Sequence, residues 1–144
     1  MLKSVIVLSR DEVEQYIPDQ KEVCISIRSN NSNYPHHGDS DRIPVLSDKF
    51  VDVLSLQFDD IIPTVTNDFN KNDWVPMSSD HGNQVEQFVS VWRNDAEKLV
   101  IHCYGGVSRS RSMAAAICKS LFMKHEYDVF NKWVYDITLN AFQK

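Results

Sequence analysis

The sequence predicts an α/β domain: a three-layer arrangement in which a central, largely parallel sheet of four to five strands carries helices on both faces. Three observations carry that expectation. Short apolar runs rich in Val and Ile alternate with longer stretches whose apolar residues recur at helical spacing. Residues 99–112 read Leu-Val-Ile-His-Cys-Tyr-Gly-Gly-Val-Ser-Arg-Ser-Arg-Ser and pass from a β-branched run, through a glycine-bearing loop, into an alanine-rich helix. No repeat, heptad or low-complexity tract suggests a solenoid or coiled coil.

In chain order, Val5 to Leu8 reads as the first strand, and Asp11 to Ile17 as a short helix stopped by Pro18, with Val13, Tyr16 and Ile17 facing inward. Val23 to Ile27 is the second strand, ending at Arg28, for which a structural ion pair is expected. The polar stretch from Ser29 to Pro44 has loop composition and leaves the strand edge where α/β sheets bind ligands, so it is a candidate wall or lid. Its adjacent His36 and His37 would point apart and make a poor metal pair. Val53 to Phe58 is the third strand and runs into Asp59-Asp60. An irregular segment from Ile61 to Ser79 follows, then a helix from about Gly82 to Asn94 with Val85, Phe88, Val89 and Trp92 on one face. The strand Leu99 to Cys103 precedes a helix from Arg109 to about Lys124. A last helix, from about Tyr127 to Phe142, is expected to pack Phe130, Trp133, Val134, Ile137 and Ala141 against the sheet.

At 144 residues the chain is expected to form one domain, 1–144. A net charge of −5 provides no global positive field for nucleic acid, so any phosphate site must supply its own potential. Three cysteines, Cys24, Cys103 and Cys118, lack framework spacing and favour free thiols in a reducing compartment. The N-terminal apolar run is too short for a signal peptide or membrane span, and a cytoplasmic location is expected.

The stretch 99–112 carries the chemistry. A tight strand-to-helix turn brings free backbone N–H groups and the positive end of a helix dipole to one point, which suits an anion. Gly105 and Gly106 permit the backbone angles that aim those amides inward. Cys103 lies at the floor of this cup, where amides, dipole and guanidinium favour a thiolate. Arg109 has a planar fork able to hold two phosphate oxygens, and the Ser110 hydroxyl is placed to donate to the sulfur.

Cys-x5-Arg-Ser preceded by His102 resembles the active-site loop of the cysteine-dependent protein tyrosine phosphatases, and most nearly the small dual-specificity branch with its compact bacterial and phage relatives. The similarity is tight over His102 to Ser110 and looser over roughly residues 23 to 142. The resemblance implies a protein tyrosine phosphatase-like fold and a phosphoprotein phosphatase, of tyrosine or dual specificity, working through a phosphocysteine. Tyr104, Gly105, Gly106, Val107, Ser108 and Arg109 would bind the phosphate; Cys103 would attack it. His102 would orient the cysteine, and Ser110 would ease thiolate departure. The leaving oxygen needs a proton. The family's acid lies beyond a strand upstream, a place matched here by Asp60, with Asp59, Asp68 and Asp73 as rivals. No cofactor and no metal are implied, and a membrane or nucleic-acid partner is not expected; oligomeric state stays open. Arg111 receives no role, and Cys118 reads as core rather than as a resolving partner for Cys103.

Other readings stay open. An RNA 5′-triphosphatase is disfavoured by the acidic chain. An inositide-lipid phosphatase is disfavoured because no lysine stands among residues 104–108. A non-catalytic phosphate-binding module would share the fold. In a rhodanese-like sulfurtransferase the Arg-Ser continuation would lack a purpose. Low-molecular-weight phosphatases and arsenate reductases carry their Cys-x5-Arg near the N-terminus, unlike this chain.

Overall fold

A computed structural model describes residues 1–30, 41–63 and 74–144. Eight elements follow one another: β1 (Ser4–Leu8), α1 (Arg10–Gln15), β2 (Glu22–Arg28), β3 (Asp52–Gln57), α2 (Ser79–Trp92), β4 (Lys98–His102), α3 (Arg109–Ser120) and α4 (Lys132–Phe142). The four strands form one all-parallel sheet in the order β1-β4-β2-β3. The fold is thus α/β, with the expected number of strands.

β4 lies inside the sheet, between β1 and β2, and its Leu99, Val100, Ile101 and His102 are all buried. Strand alternation divides the apolar residues into two clusters. Val23, Ile25 and Ile27 of β2 join Leu99 and Ile101 of β4 in the larger cluster, with Val85 and Val89 of α2, Met113 and Ile117 of α3, and Val134 of α4. Cys24 and Val100, the intervening residues, meet Val13 of α1 and Phe50 in the smaller one.

All four helices differ at a boundary from the sequence reading, each for a local reason: α2 begins at Ser79, three residues earlier than expected, because the Ser78 side chain caps it by accepting from the His81 N–H at 3.2 Å. α1 ends at Gln15 because Tyr16 is already extended, as suits a chain approaching Pro18; Tyr16 packs inward, whereas Ile17 is 67% exposed and does not. α3 ends at Ser120 rather than near Lys124: Phe122 takes a left-handed φ of 57°, which turns the chain away. α4 begins at Lys132, five residues later than expected, because the Asn131 side chain caps it by accepting from the Val134 N–H at 3.1 Å. Phe130 consequently lies outside the helix and is 55% exposed. The remaining stripe does not rest on the sheet as expected: α4 packs against α2 and α3. Arg28 closes β2 by donating to Gln57 Oε1 on β3 at 3.3 Å, and among the described residues it makes this hydrogen bond in place of the expected ion pair.

Among the described residues, no helix is long and apolar enough to cross a membrane. His36 and His37, with most of the Ser29–Pro44 loop, lie outside the described residues.

Candidate active site

The parallel sheet sends the ends of β2, β3 and β4 to one edge, and the chemistry-bearing side chains gather there. Cys103 follows β4 directly and is only 2% exposed; its Sγ lies 3.1 Å from Ser110 Oγ on the first turn of α3. That is the sulfur–hydroxyl pairing expected from the sequence.

The loop between them is aimed by its carbonyls. The Arg10 N–H, at the start of α1, donates to the Tyr104 carbonyl at 2.9 Å, and Arg111 Nε donates to the Gly106 carbonyl at 3.2 Å. In a trans peptide the N–H points opposite to the C=O. The two bonds therefore turn the N–H groups of Gly105 and Val107 to the loop's other side. Of the two glycines, Gly106 has the left-handed φ, +68°, and an added Cβ there would stand 2.8 Å from Ser9 N and 2.9 Å from Leu8 C. Gly105 needs no such freedom, a narrowing of the expectation from sequence. Tyr104 also receives the Arg10 guanidinium over its ring at 5.2 Å.

The N-terminus of α3 breaks the usual capping rule. Ser108 stands at the N-cap position but its side chain caps nothing; the hydroxyl instead donates to Asp60 Oδ1 at 2.9 Å. The first turn carries no acidic residue and instead begins with Arg109. Uncapped N–H groups, a helix dipole and a guanidinium at one place raise the local positive potential within an acidic chain.

Arg109 is 2% exposed, and its Nη1 donates to Ser29 Oγ at 3.1 Å and to the Phe58 carbonyl at 2.9 Å. Its fork is thereby held in one plane by the ends of β2 and β3. His102 is fully buried between Ser26 Oγ (2.6 Å from Nε2) and the Cys103 carbonyl (3.3 Å from Nδ1). A carbonyl only accepts, so Nδ1 bears the proton and Nε2 accepts from Ser26. Burial, above all, holds the ring's pKa at about 4, with Arg10 and Arg109 lowering it further. The neutral imidazole thus ties the end of β4 to Ser26 of β2 on one side and to the Cys103 carbonyl on the other.

The two adjacent aspartates have separate environments. Asp59 is fully buried; its Oδ1 accepts from Asn30 N–H at 2.9 Å and its Oδ2 from Val75 N–H at 2.7 Å. Asp60 is half-buried, and its Oδ1 accepts from Ser108 Oγ and, at 2.8 Å, from Asn131 Nδ2. No described residue donates to its Oδ2. Asp68 and Asp73 lie outside the described residues.

Sequence reasoning missed Ser26, Ser29 and Asn131. Asn131 is 2% exposed and joins the Ser112 hydroxyl, Asp60 and the α4 N-terminus through its backbone and side chain. An Asn ahead of an apolar-periodic run is a helix-start signal that would have found it. Nothing local marks Ser26 or Ser29, whose partners lie 76 and 80 positions away. Among the described residues, no three His, Cys, Asp or Glu side chains are grouped to hold a metal.

No protein-family model matches the chain, and no curated protein matches it.

Proposed function

We propose that the chain is a cysteine-dependent phosphatase with the three-layer fold of the protein tyrosine phosphatases, of the small dual-specificity type, acting on phosphoproteins in the cytoplasm. One observation carries the reading. The buried Cys103 thiol meets Ser110 at the uncapped mouth of α3, and Asp60 is tethered to the same loop through Ser108.

In this scheme the phosphate oxygens take the loop N–H groups and the Arg109 fork, which stabilise the charge spread over them as the ester bond lengthens. Cys103 thiolate attacks phosphorus, forming S–P as the P–O ester bond breaks. Asp60 Oδ2, bearing a proton, passes it to the departing oxygen. The resulting carboxylate then takes a proton from water as that water attacks phosphorus; the S–P bond breaks and inorganic phosphate leaves. Ser110 donates to the re-formed thiolate. No oxidation occurs, and the proton returns to Asp60.

A small cup with exposed Tyr104 and Val107 at its rim suits a side-chain phosphate presented on a protein surface. The acidic chain argues against RNA 5′-triphosphate. Three free cysteines fit a reducing compartment.

Hydrolysis of p-nitrophenyl phosphate, assayed with reductant and without added metal, tests the reading. Turnover by the native chain, abolished in Cys103→Ser, is the expected result. A folded native chain that binds orthovanadate without turnover would sink the enzyme and leave the phosphate-binding module.

A further inference from the structure

A cleft of about 440 Å³ lies between the start of β1 and the chain leaving α3, with Arg111 in its lining. That volume is within the range that encloses small ligands. Its cationic lining comprises Lys3, Arg111 and Lys124, with His125; Glu126 is the carboxylate among the lining residues. Lys3 has a loose exposed pairing with Glu97 at 3.7 Å. Arg111 and Lys124 form no ion pair among the described residues. In a chain of net charge −5, this excess of positive side chains around one concavity is a local inversion of sign.

The cleft also has a flat wall. His125 stacks on Tyr127 with centroids 5.9 Å apart and planes 15° apart, and the Arg111 guanidinium lies 5.9 Å from the Tyr127 ring centre. The Tyr127 hydroxyl donates to the Val5 carbonyl at 2.6 Å, tying this wall to β1.

Arg111 belongs to both sides of the loop. It lines the cleft, while its Nε holds the Gly106 carbonyl. An anion that draws the guanidinium toward Lys124 would lengthen or break that bond. It would thereby release the peptide whose N–H, on Val107, points away from Arg111.

We propose that this cleft is a second anion site for a small phosphate-bearing molecule, and that Arg111 transmits its occupancy to the loop. Binding at the cleft is independent of the phosphatase reading; the consequence for turnover rests on it. Coupling of this kind is reciprocal, so filling the cup must also change cleft affinity.

The test is a ¹H–¹⁵N titration of the full chain with its cup filled by orthovanadate, using inorganic pyrophosphate and, separately, adenosine monophosphate. Saturable shifts at the amides of Lys124, His125 and Tyr127, accompanied by Gly106 and Val107, are expected at about 1 mM or below. Tighter binding of the nucleotide would identify a ring-bearing phosphate as the source, and tighter pyrophosphate an inorganic one. Lys124→Glu is expected to weaken binding about tenfold or more, with vanadate binding at the cup unchanged. Arg111→Lys keeps the charge but loses the Nε bond, so cleft binding persists while the Gly106 and Val107 response disappears. Absence of saturable shifts, or binding indifferent to Lys124→Glu, overturns the site; a native loop that does not respond overturns the coupling. Should vanadate fail to bind, the phosphatase reading fails, and the same titration still reads the cleft.

Discussion

Two segments leave the same edge of the sheet toward one point, and they are built on opposite principles. After β4 the main chain presents its own groups: carbonyls at Tyr104 and Gly106, held by Arg10 and Arg111, turn the amides that follow them to the loop's other side. After β3 side chains do the holding. Asp59 commits both carboxylate oxygens to the N–H groups of Asn30 and Val75, which fixes the segment. Asp60, one residue on, then faces Ser108 and Asn131 at the loop. Two neighbouring carboxylates of identical chemistry thus receive different tasks from the donors around them. One anchors, and the other is presented.

The sharpest way to break this comparison is to remove the proton-donor capacity proposed for Asp60 while keeping its shape. Asp60→Asn is expected to lower kcat by about 10²- to 10⁴-fold, the usual range for losing a general acid. Thermal stability should stay close to native, because Asn retains an oxygen to accept from Ser108. Steady-state kinetics with a poor and a good leaving group check it: the loss should shrink for the good one. A loss independent of leaving group would remove Asp60 from the proton-transfer role.

The β4 exit has its own stability signature, set by His102. Burial holds this ring at about 4 in the folded chain against an ordinary 6.5. Between those values the unfolded chain binds a proton that the folded chain refuses. Stability from this group is therefore complete above about pH 6.5 and is lost as pH falls toward 4, by on the order of 3 kcal/mol. Urea unfolding at pH 7 and again near pH 4.5 measures the slope. His102→Gln should flatten it, and an unchanged slope would assign the acid sensitivity elsewhere.

Asp59→Asn reverses the pattern expected at Asp60. Its amide can accept from one of the two N–H groups and must present donors to the other, which costs about 2 kcal/mol. The urea midpoint should fall, while kcat for the molecules that remain folded changes only a few-fold. If Asp59→Asn instead cut kcat as deeply as Asp60→Asn at unchanged stability, the anchor and the acid would have been exchanged.

Legibility from the sequence follows the same division. The β4 exit was readable because its information is local: the apolar run, Cys103, Gly106, Arg109 and Ser110 lie within a dozen residues, and each type has few alternative uses. The β3 exit was readable only as a preference for Asp60, with Asp59, Asp68 and Asp73 as rivals. What separates Asp59 from Asp60 is supplied by Asn30, Val75, Ser108 and Asn131, which reach them from four distant parts of the chain. Helix ends failed where apolar spacing outran the true boundary. Phe130 continues the stripe of α4 by periodicity although Asn131 caps the helix after it. Phe122 ends α3 in a left-handed turn with no glycine to announce it. The packing of α4 on α2 and α3 rather than on the sheet could not be read from its stripe, since an apolar face does not name its partner.

The smallest effect expected lies inside the β4 exit itself, between its two glycines. Gly106 is required by backbone and space together: a φ of +68° and a Cβ that would meet Ser9 N at 2.8 Å. Gly106→Ala should cost about 1–3 kcal/mol and displace the carbonyl that Arg111 holds. Gly105 faces open space, its added Cβ meeting only Val107 Cγ2 at 4.0 Å, and its φ lies outside the left-handed region. Gly105→Ala should therefore leave stability unchanged or raise it by up to about 1 kcal/mol, because alanine restricts the unfolded chain more than the folded one. Comparing the two urea midpoints separates a loop shaped by one tight approach to the end of β1 from a loop that needs glycine throughout. Destabilisation by Gly105→Ala as large as that by Gly106→Ala would favour the second description. The first is favoured here because the carbonyl bond from Arg10 already fixes the peptide entering Gly105, while the bond from Arg111 fixes the peptide leaving Gly106, the glycine whose backbone is left-handed.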